Sequence, residues 1–400
     1  MDHKGKTRQA MPRSFRRALR TSAGTLAAAL TCVLAACTTN PSDAVSVFDT
    51  TKLQQDIDVM VKSGVVGVQA EVVDAGRRLD LRGGVAQLET NEPVPRQGYF
   101  RMGSNTKTFT ATVVLQMAGE GKLSLDDTVE KWLPELVTGN GNNGSKITVR
   151  QLLQHTSGLH EHVQALPAMA SEKGFQEHRE DDYQPEQLVK LGLEHAPDFP
   201  PGTEWSYSNT GYIIAGMIIE KAGGKTWGEE VRHRIIKPLR LSHTSAPGDD
   251  PAMPTPHARA YQRFAPDGPM VDTTDVNMSM AWSAGQLITN PDDLVTFWRG
   301  LLSGKLLAPA QLAEMKKTVP AQAPGFPDGM QAGLGIFKFP LTCGGSYWSH
   351  PGGTIGYLTL NGFTDNGTKG VVLSQSATNV TPDQAPQAQK AVADALCQKD

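Results

Sequence analysis

Cysteine is scarce in this sequence: there are four in 400 residues, at positions 32, 37, 343 and 397. So few thiols exclude a disulfide-dense scaffold, and no Cys/His spacing matches a zinc site, so no metal is expected. Basic residues do not outnumber acidic ones, 38 against 41, which argues against a cationic surface for nucleic acid. Internal repeats are missing, and so is any apolar run long enough to span a bilayer comfortably; the run from Ala23 to Ala36 is too short. What remains, 39% hydrophobic and 20% charged, suits a soluble globular enzyme with a large core.

The first stretch stands apart. Lys4, Lys6, Arg8, Arg13, Arg16, Arg17 and Arg20 precede the apolar run, so residues 1–36 read as a signal peptide. It ends in Leu34-Ala35-Ala36-Cys37, followed by a polar stretch, and this resembles the lipobox of bacterial lipoproteins. Cys37 would then carry lipid, residues 37–50 would be a flexible tether, and residues 51–400 one folded domain, extracytoplasmic and anchored to the cell membrane. Ordinary cleavage would leave a secreted protein instead. Losing residues 1–36 removes seven basic residues and one acidic residue, taking the net charge from −3 to −9. Cys343 and Cys397 are then the thiols left to pair, and outside the cytoplasm they can do so.

Strand patterns lie at both ends of the chain and helical patterns between them. Val65–Val73 and Leu79–Leu88 read as a hairpin across Asp74-Ala75-Gly76-Arg77. Helices are expected near Asp56–Ser63, Thr108–Met117, Thr148–His155, Tyr212–Ala222, Trp227–Ile236, Pro291–Leu302 and Ala385–Leu396. Gly333–Phe339, Tyr347–Ser349, Gly356–Phe363 and Gly370–Ser376 read as the returning strands, and the stretches Gly158–Pro201 and Pro247–Pro269 as loops that shape a cleft. The expectation is an α+β fold: one antiparallel sheet built from both termini, helices on its faces, and a mostly helical region inserted in the middle.

Three short motifs carry chemistry. Gly103-Ser104-Asn105-Thr106-Lys107 opens a helix, so Ser104 sits at its N-terminus with Lys107 one turn on, folded back toward the hydroxyl. A serine is a weak nucleophile until a base takes its proton, and a lysine can do so where burial lowers its pKa. Tyr207-Ser208-Asn209 sits at the mouth of a second helix. Tyr207, held near a cation and partly phenolate, is a candidate base and later acid, and Asn209 can contact both substrate and Lys107. His350-Pro351-Gly352-Gly353 ends a strand, where the glycines admit a close backbone. Gly353 N–H is a candidate oxyanion donor beside Ser104 N–H, and His350 would add a polar or positive group across the cleft. Each motif alone is weak evidence, since Ser-x-x-Lys occurs by chance and a strand-end histidine is commonly structural.

Together and in this order, the motifs Ser104-x-x-Lys107, Tyr207-x-Asn209 and His350-x-Gly352 resemble the penicillin-recognising serine hydrolases: class C β-lactamases, serine D-alanyl-D-alanine carboxypeptidases and their esterase relatives. Leu152-Leu153-Gln154-His155-Thr156-Ser157-Gly158-Leu159 and Ala284-Gly285-Gln286-Leu287 look similar too. The resemblance runs from about residue 51 to the C-terminus. It implies Ser104 as the acylated nucleophile, Lys107 and Tyr207 as proton-transfer partners, and Asn209, His350, Gly352 and Gly353 as substrate contacts. Histidine at 350, together with a disulfide between Cys343 and Cys397, is closest to the secreted carboxypeptidases. The motif's usual middle threonine, whose hydroxyl meets a substrate carboxylate, is Pro351 here.

The expected activity is hydrolysis through an acyl-enzyme, without cofactor, by a monomer acting on peptidoglycan stem peptides ending in D-alanyl-D-alanine. A β-lactamase, an esterase of small acyl esters and a non-catalytic cell-wall-binding lipoprotein are the alternatives. His155, His160, His162 and Glu161 were the one grouping that invited a metal; His155 reads better as a structural hydrogen-bonder.

Overall fold

A computed structural model describes residues 49–322 and 327–397; the leader, Cys37 and most of the expected tether lie outside the described residues. The first helix, α1 (Thr51–Lys62), leads into the hairpin of β1 (Gly67–Asp74) and β2 (Arg77–Gly84). Its turn places Ala75 and Gly76 at φ 45° and 90°, the double positive φ that fits the twist of a two-residue hairpin. β2 stops at Gly84, four residues short of the stretch expected from the sequence, because Gly84 turns to φ 72° and the ladder ends.

The C-terminal strands are β3 (Phe337–Pro340), β4 (Ser346–Ser349), β5 (Gly352–Gly353), β6 (Leu358–Phe363) and β7 (Lys369–Gln375). β1 pairs antiparallel with β7 from Val68↔Gln375 to Asp74↔Lys369, so the two ends of the chain close one sheet in the order β2-β1-β7-β6-β4-β3, continued by two short strands; β5 pairs with β6. Alternation along the central strands sorts side chains between two cores. Val72, Val371 and Leu373 join Ile57 and Leu53 of α1 and Val392 and Leu396 of the last helix, α6 (Gln384–Cys397). Val73, Val372 and Phe363 face the other way, toward α2 (Thr106–Gly119) and α5 (Pro291–Leu302). There Phe109 stacks on Phe297 at 3.6 Å and Trp298 on Phe363 at 5.6 Å. β1 is buried almost throughout, whereas the edge strand β2 carries Arg77, Arg78, Asp80 and Arg82, charges that discourage pairing with another chain.

The inserted region holds α2, α3 (Val149–Gln154) and α4 (Asn209–Gly223). α2 is buried nearly all round, as a central helix must be. Its four threonines are accommodated because each hydroxyl finds a backbone partner: Thr108 donates to Gly335, Thr110 to Ser283 and Thr112 to Thr108, and Thr106 accepts from Leu287 N. The stretch from 158 to 201 is not the loop expected from the sequence. It folds into the helical segments Pro167–Ala170, Glu172–His178 and Pro185–Leu193, capped by Ser171 and Gln184 and anchored by buried Phe175, Leu188 and Val189. Each piece is too short to show a helical period in sequence. The expected helix over 227–236 is α-helical only to Val231 and then widens to a π-turn. Pro238, which lacks an N–H, follows at once.

Cys343, in the turn between β3 and β4, is bonded to Cys397 at the end of α6, a sequence separation of 54. Closing a loop of that size stabilises by about 4 kcal/mol through the unfolded chain. The Cys343→Ser/Cys397→Ser variant should therefore lose about that much in urea unfolding while keeping its activity; a change under about 1 kcal/mol would show that the bridge contributes little.

Candidate active site

The Tyr99–Asn105 stretch delivers Ser104 to a short 3₁₀ turn, Gly103–Asn105, that runs straight into α2. The turn lies against β5 so closely that side chains are shut out. A Cβ on Gly103, which sits at φ +52°, would stand 2.6 Å from Gly353 O, and one on Gly352 would stand 2.0 Å from Met102 O. Asn361 of β6 ties the two together: its amide donates to Asn105 Oδ1 and to His350 O, and its Oδ1 accepts from His350 N at 3.1 Å.

Ser104 is half-buried and Lys107 fully buried. Lys107 Nζ lies 3.1 Å from Ser104 Oγ, 2.5 Å from Asn209 Oδ1 and 2.8 Å from Ala284 O. Burial is the main cause that brings its pKa from 10.5 down to about 7, against the opposing pull of Glu161. The neutral amine fits this cage group for group. Its two N–H bonds serve the two acceptors that cannot donate, Asn209 Oδ1 and Ala284 O, and its lone pair is left for the Ser104 hydroxyl. Such an arrangement can take the proton of Ser104.

Asn209 begins α4 behind its N-cap Ser208. Its orientation is set by Glu161 Oε2, which accepts from Asn209 N at 2.7 Å and from Nδ2 at 2.9 Å. Tyr207 brings its ring centroid 4.8 Å from Lys107 Nζ, and it lines the larger cavity beside Ser104. The structure corrects the expectation of a partial phenolate. Desolvation raises the Tyr207 pKa well above 10, outweighing the opposing influence of Ser104, so the phenol keeps its proton. His350 is likewise uncharged: burial, reinforced by Lys107, lowers its pKa to about 3. Its Nδ1 donates to Pro351 O at 2.8 Å, which leaves Nε2 as a buried acceptor with no partner among the described residues.

Sequence reasoning gave no role to three groups found here. The Ala284 carbonyl comes from a backbone atom, which no residue type signals. Glu161 was weighed as a metal ligand only, and Asn361 lies in an apolar strand. The histidines beside Glu161 are dispersed: His160 pairs with Asp198, His162 with Thr210, and His155 stacks under Tyr207. Among the described residues no three acidic, histidine or cysteine side chains are placed to hold a metal.

Two cavities open on either side of Ser104. One, of about 90 Å³, is lined by Val163, Leu166, Met169, Met280 and Ile355. The other, of about 390 Å³, is lined by Phe337, His350, Pro351, Leu358, Leu360 and Gln389.

Comparison with known proteins places the fold among hydrolases of one family. A D-stereospecific amidohydrolase from a Streptomyces species is similar at 41% identity, over 85% of this chain and 98% of that one, with a TM-score of 0.79. The D-amino acid amidase of Ochrobactrum anthropi SV3, solved with D-phenylalanine, is 27% identical over 86% of this chain and 98% of its own, with a TM-score of 0.75. Penicillin-binding protein 4 of Amycolatopsis lactamdurans is 31% identical over 195 residues. The chain spans about half of that relative's length, 48%. The beta-lactamase family model matches residues 52–395, and with the sheet, the central helix and the serine–lysine pair on the same frame, the chain belongs to the beta-lactamase family of serine hydrolases.

Proposed function

We propose that the protein is a D-stereospecific amidohydrolase that transfers the acyl group of a D-amino acid amide or short peptide to Ser104 and then to water. The observation that carries the acyl-enzyme chemistry is the cage around Lys107, in which Asn209 and Ala284 take two positions of the amine and the third faces the Ser104 hydroxyl; the D-amide substrate is supported by the similarity to the amidohydrolase and the amidase. Ser104 Oγ attacks the carbonyl carbon as its proton passes to Lys107 Nζ. Charge collects on the former carbonyl oxygen, toward the backbone N–H groups of Ser104 and Gly353. When the C–N bond breaks, Tyr207 hands its proton to the leaving nitrogen and regains one from Lys107, remaining neutral before and after. Water then cleaves the ester by the same route reversed.

Support for an amide substrate over a C-terminal carboxylate comes from charge. Pro351 offers neither hydroxyl nor N–H, His350 is uncharged with a lone pair turned inward, and Glu161 adds a negative charge beside Asn209. All three disfavour an anionic substrate end, and the carboxylate favours an ammonium. The similarity to the amidohydrolase and the amidase supports the same choice. Release of D-alanine from peptidoglycan stem peptides therefore stands second to amide hydrolysis. The test is a panel of D-phenylalaninamide, L-phenylalaninamide, a D-alanyl-D-alanine peptide and a chromogenic cephalosporin. The D-amide should be cleaved at least about 10-fold faster than each of the others; faster release of D-alanine would restore the carboxypeptidase reading.

Pro351→Thr should shift this balance. Adding the hydroxyl is expected to raise kcat/KM for the D-alanyl-D-alanine peptide relative to the amide by about 10-fold or more, roughly the worth of one hydrogen bond to a charged group. An unchanged ratio would show that position 351 does not read the carboxylate.

An extracytoplasmic setting with a lipid anchor at Cys37 is part of the same proposal, supported by the leader sequence and by the Cys343–Cys397 bridge. Processing that is insensitive to globomycin would count against the anchor.

A further inference from the structure

His155 ends α3 in a left-handed conformation, at φ 61°, and from there it grips the Tyr207 loop in three ways. Its carbonyl accepts from Ser206 N at 3.0 Å, and its ring Nδ1 accepts from Ser208 N at 3.1 Å. Between these two bonds its ring lies against the Tyr207 ring, centroids 4.4 Å apart and planes 26° from parallel. The residues on either side of Tyr207 are thus fixed by one residue, and the aromatic ring itself rests on that residue's side chain.

We propose that His155 is a positioning residue for the reaction: it sets the Tyr207 phenol at the height and tilt at which it can exchange a proton with Ser104 and the leaving nitrogen. The donor–acceptor pattern fixes its state. Because Nδ1 accepts from a backbone N–H, the ring proton sits on Nε2, which is buried without a partner among the described residues. Burial, aided by Lys107 and His350, holds the pKa well below 6.5, so the imidazole adds no charge that would compete with Lys107. The left-handed backbone narrows the choice of residue further, since few side chains other than Gly, Asn, Asp and His accept it readily. His155 meets three requirements at once: that conformation, an acceptor one bond from the ring carbon, and a flat face.

The inference rests on Tyr207 moving a proton, and its test separates the two. Asparagine tolerates the same backbone and offers Oδ1 near the place of Nδ1, but has no ring. His155→Asn should fold, keep KM for D-phenylalaninamide within about 3-fold and lower kcat by about 10-fold. His155→Ala, losing acceptor and ring together, should fall by about 100-fold, the scale of a misplacement of about 1 Å. The decisive reading is a double-mutant cycle with Tyr207→Phe, which by itself should lower kcat by about 10²-fold or more. In the Tyr207→Phe background, His155→Asn should cost less than about 2-fold, because the group it positions is gone. If Tyr207→Phe alone left kcat unchanged, the role of Tyr207 would fall. If Tyr207→Phe were slow but His155→Asn cost as much in its background as in the parent, or raised KM with no change in kcat, the positioning role of His155 would be overturned and only a structural one would remain.

Discussion

Ser104→Ala is expected to lower the hydrolysis of D-phenylalaninamide by on the order of 10⁴-fold or more while leaving KM and the melting temperature nearly unchanged. The proton route in the cleft leads to this one oxygen: Lys107 Nζ stands 3.1 Å from it, and Tyr207 lines the same cavity. The other polar side chains that line the two cavities are Asn209, Thr354, Tyr207, His350 and Gln389, and none of them has a lysine amine at hydrogen-bond distance from a hydroxyl as Ser104 does. Alanine fits the turn, because the Ser104 side chain supports no element of the fold and its residue is half-buried rather than packed. Intact-mass spectrometry with benzylpenicillin or an activated ester should show an acyl adduct on the parent and none on the variant. Residual hydrolysis within about 10-fold of the parent would mean that a water, activated by Lys107, is the nucleophile instead.

The second large effect is in pH. With Lys107 titrating near 7, kcat/KM for the amide should climb about tenfold per pH unit below that value and level off above it. Lys107→Arg should abolish the limb along with on the order of 10³-fold of the rate, since a guanidinium stays charged and cannot accept the serine proton. A limb that survived in that variant would belong to another group. The same shift bears on stability, with a sign that can be checked. The folded pKa is depressed, about 7 against 10.5 in the unfolded chain, so between those values the unfolded state binds the extra proton and stability rises with pH. A shift of this size corresponds to roughly 5 kcal/mol of pH-dependent stability. Lys107→Met isolates it: the parent should gain on the variant in urea unfolding from pH 7 to pH 10, and a difference that stayed flat would show that Lys107 is not neutral in the fold.

Tyr207 and Lys107 show how differently one physical effect reads in the two descriptions. Near a cation, tyrosine looks ready to lose its proton, and a lysine one turn from a serine looks ready to give up its own once it is buried. Removed from water, both groups prefer their neutral form, which raises one pKa and lowers the other. Desolvation depends on what covers a side chain, and the cover here comes from Asn209, Ala284, Tyr212 and His155, none of them within 40 residues of position 107. The short helices between 158 and 201 escaped notice for a similar reason. Phe175, Leu188 and Val189 are anchors because of what they touch, and segments of four to nine residues hold too few turns to advertise a period.

The chain by itself determined the order of the motifs and the two-ended sheet. Those depend on local signals: a glycine-bounded serine followed one turn later by lysine, alternating apolar residues, and turns such as Ala75-Gly76 and Asp365-Asn366-Gly367 that leave little choice of backbone. Only the tertiary structure decided which charges survive in the cleft, how His155 and Asn361 hold the reacting groups, and that a backbone carbonyl at 284 completes the lysine's cage. Each of these depends on contacts between residues far apart in the chain, Lys107 with Asn209 and Ala284, His155 with Ser208, and Asn361 with Asn105. Such contacts are set by the packing of the whole core, not by any window of sequence.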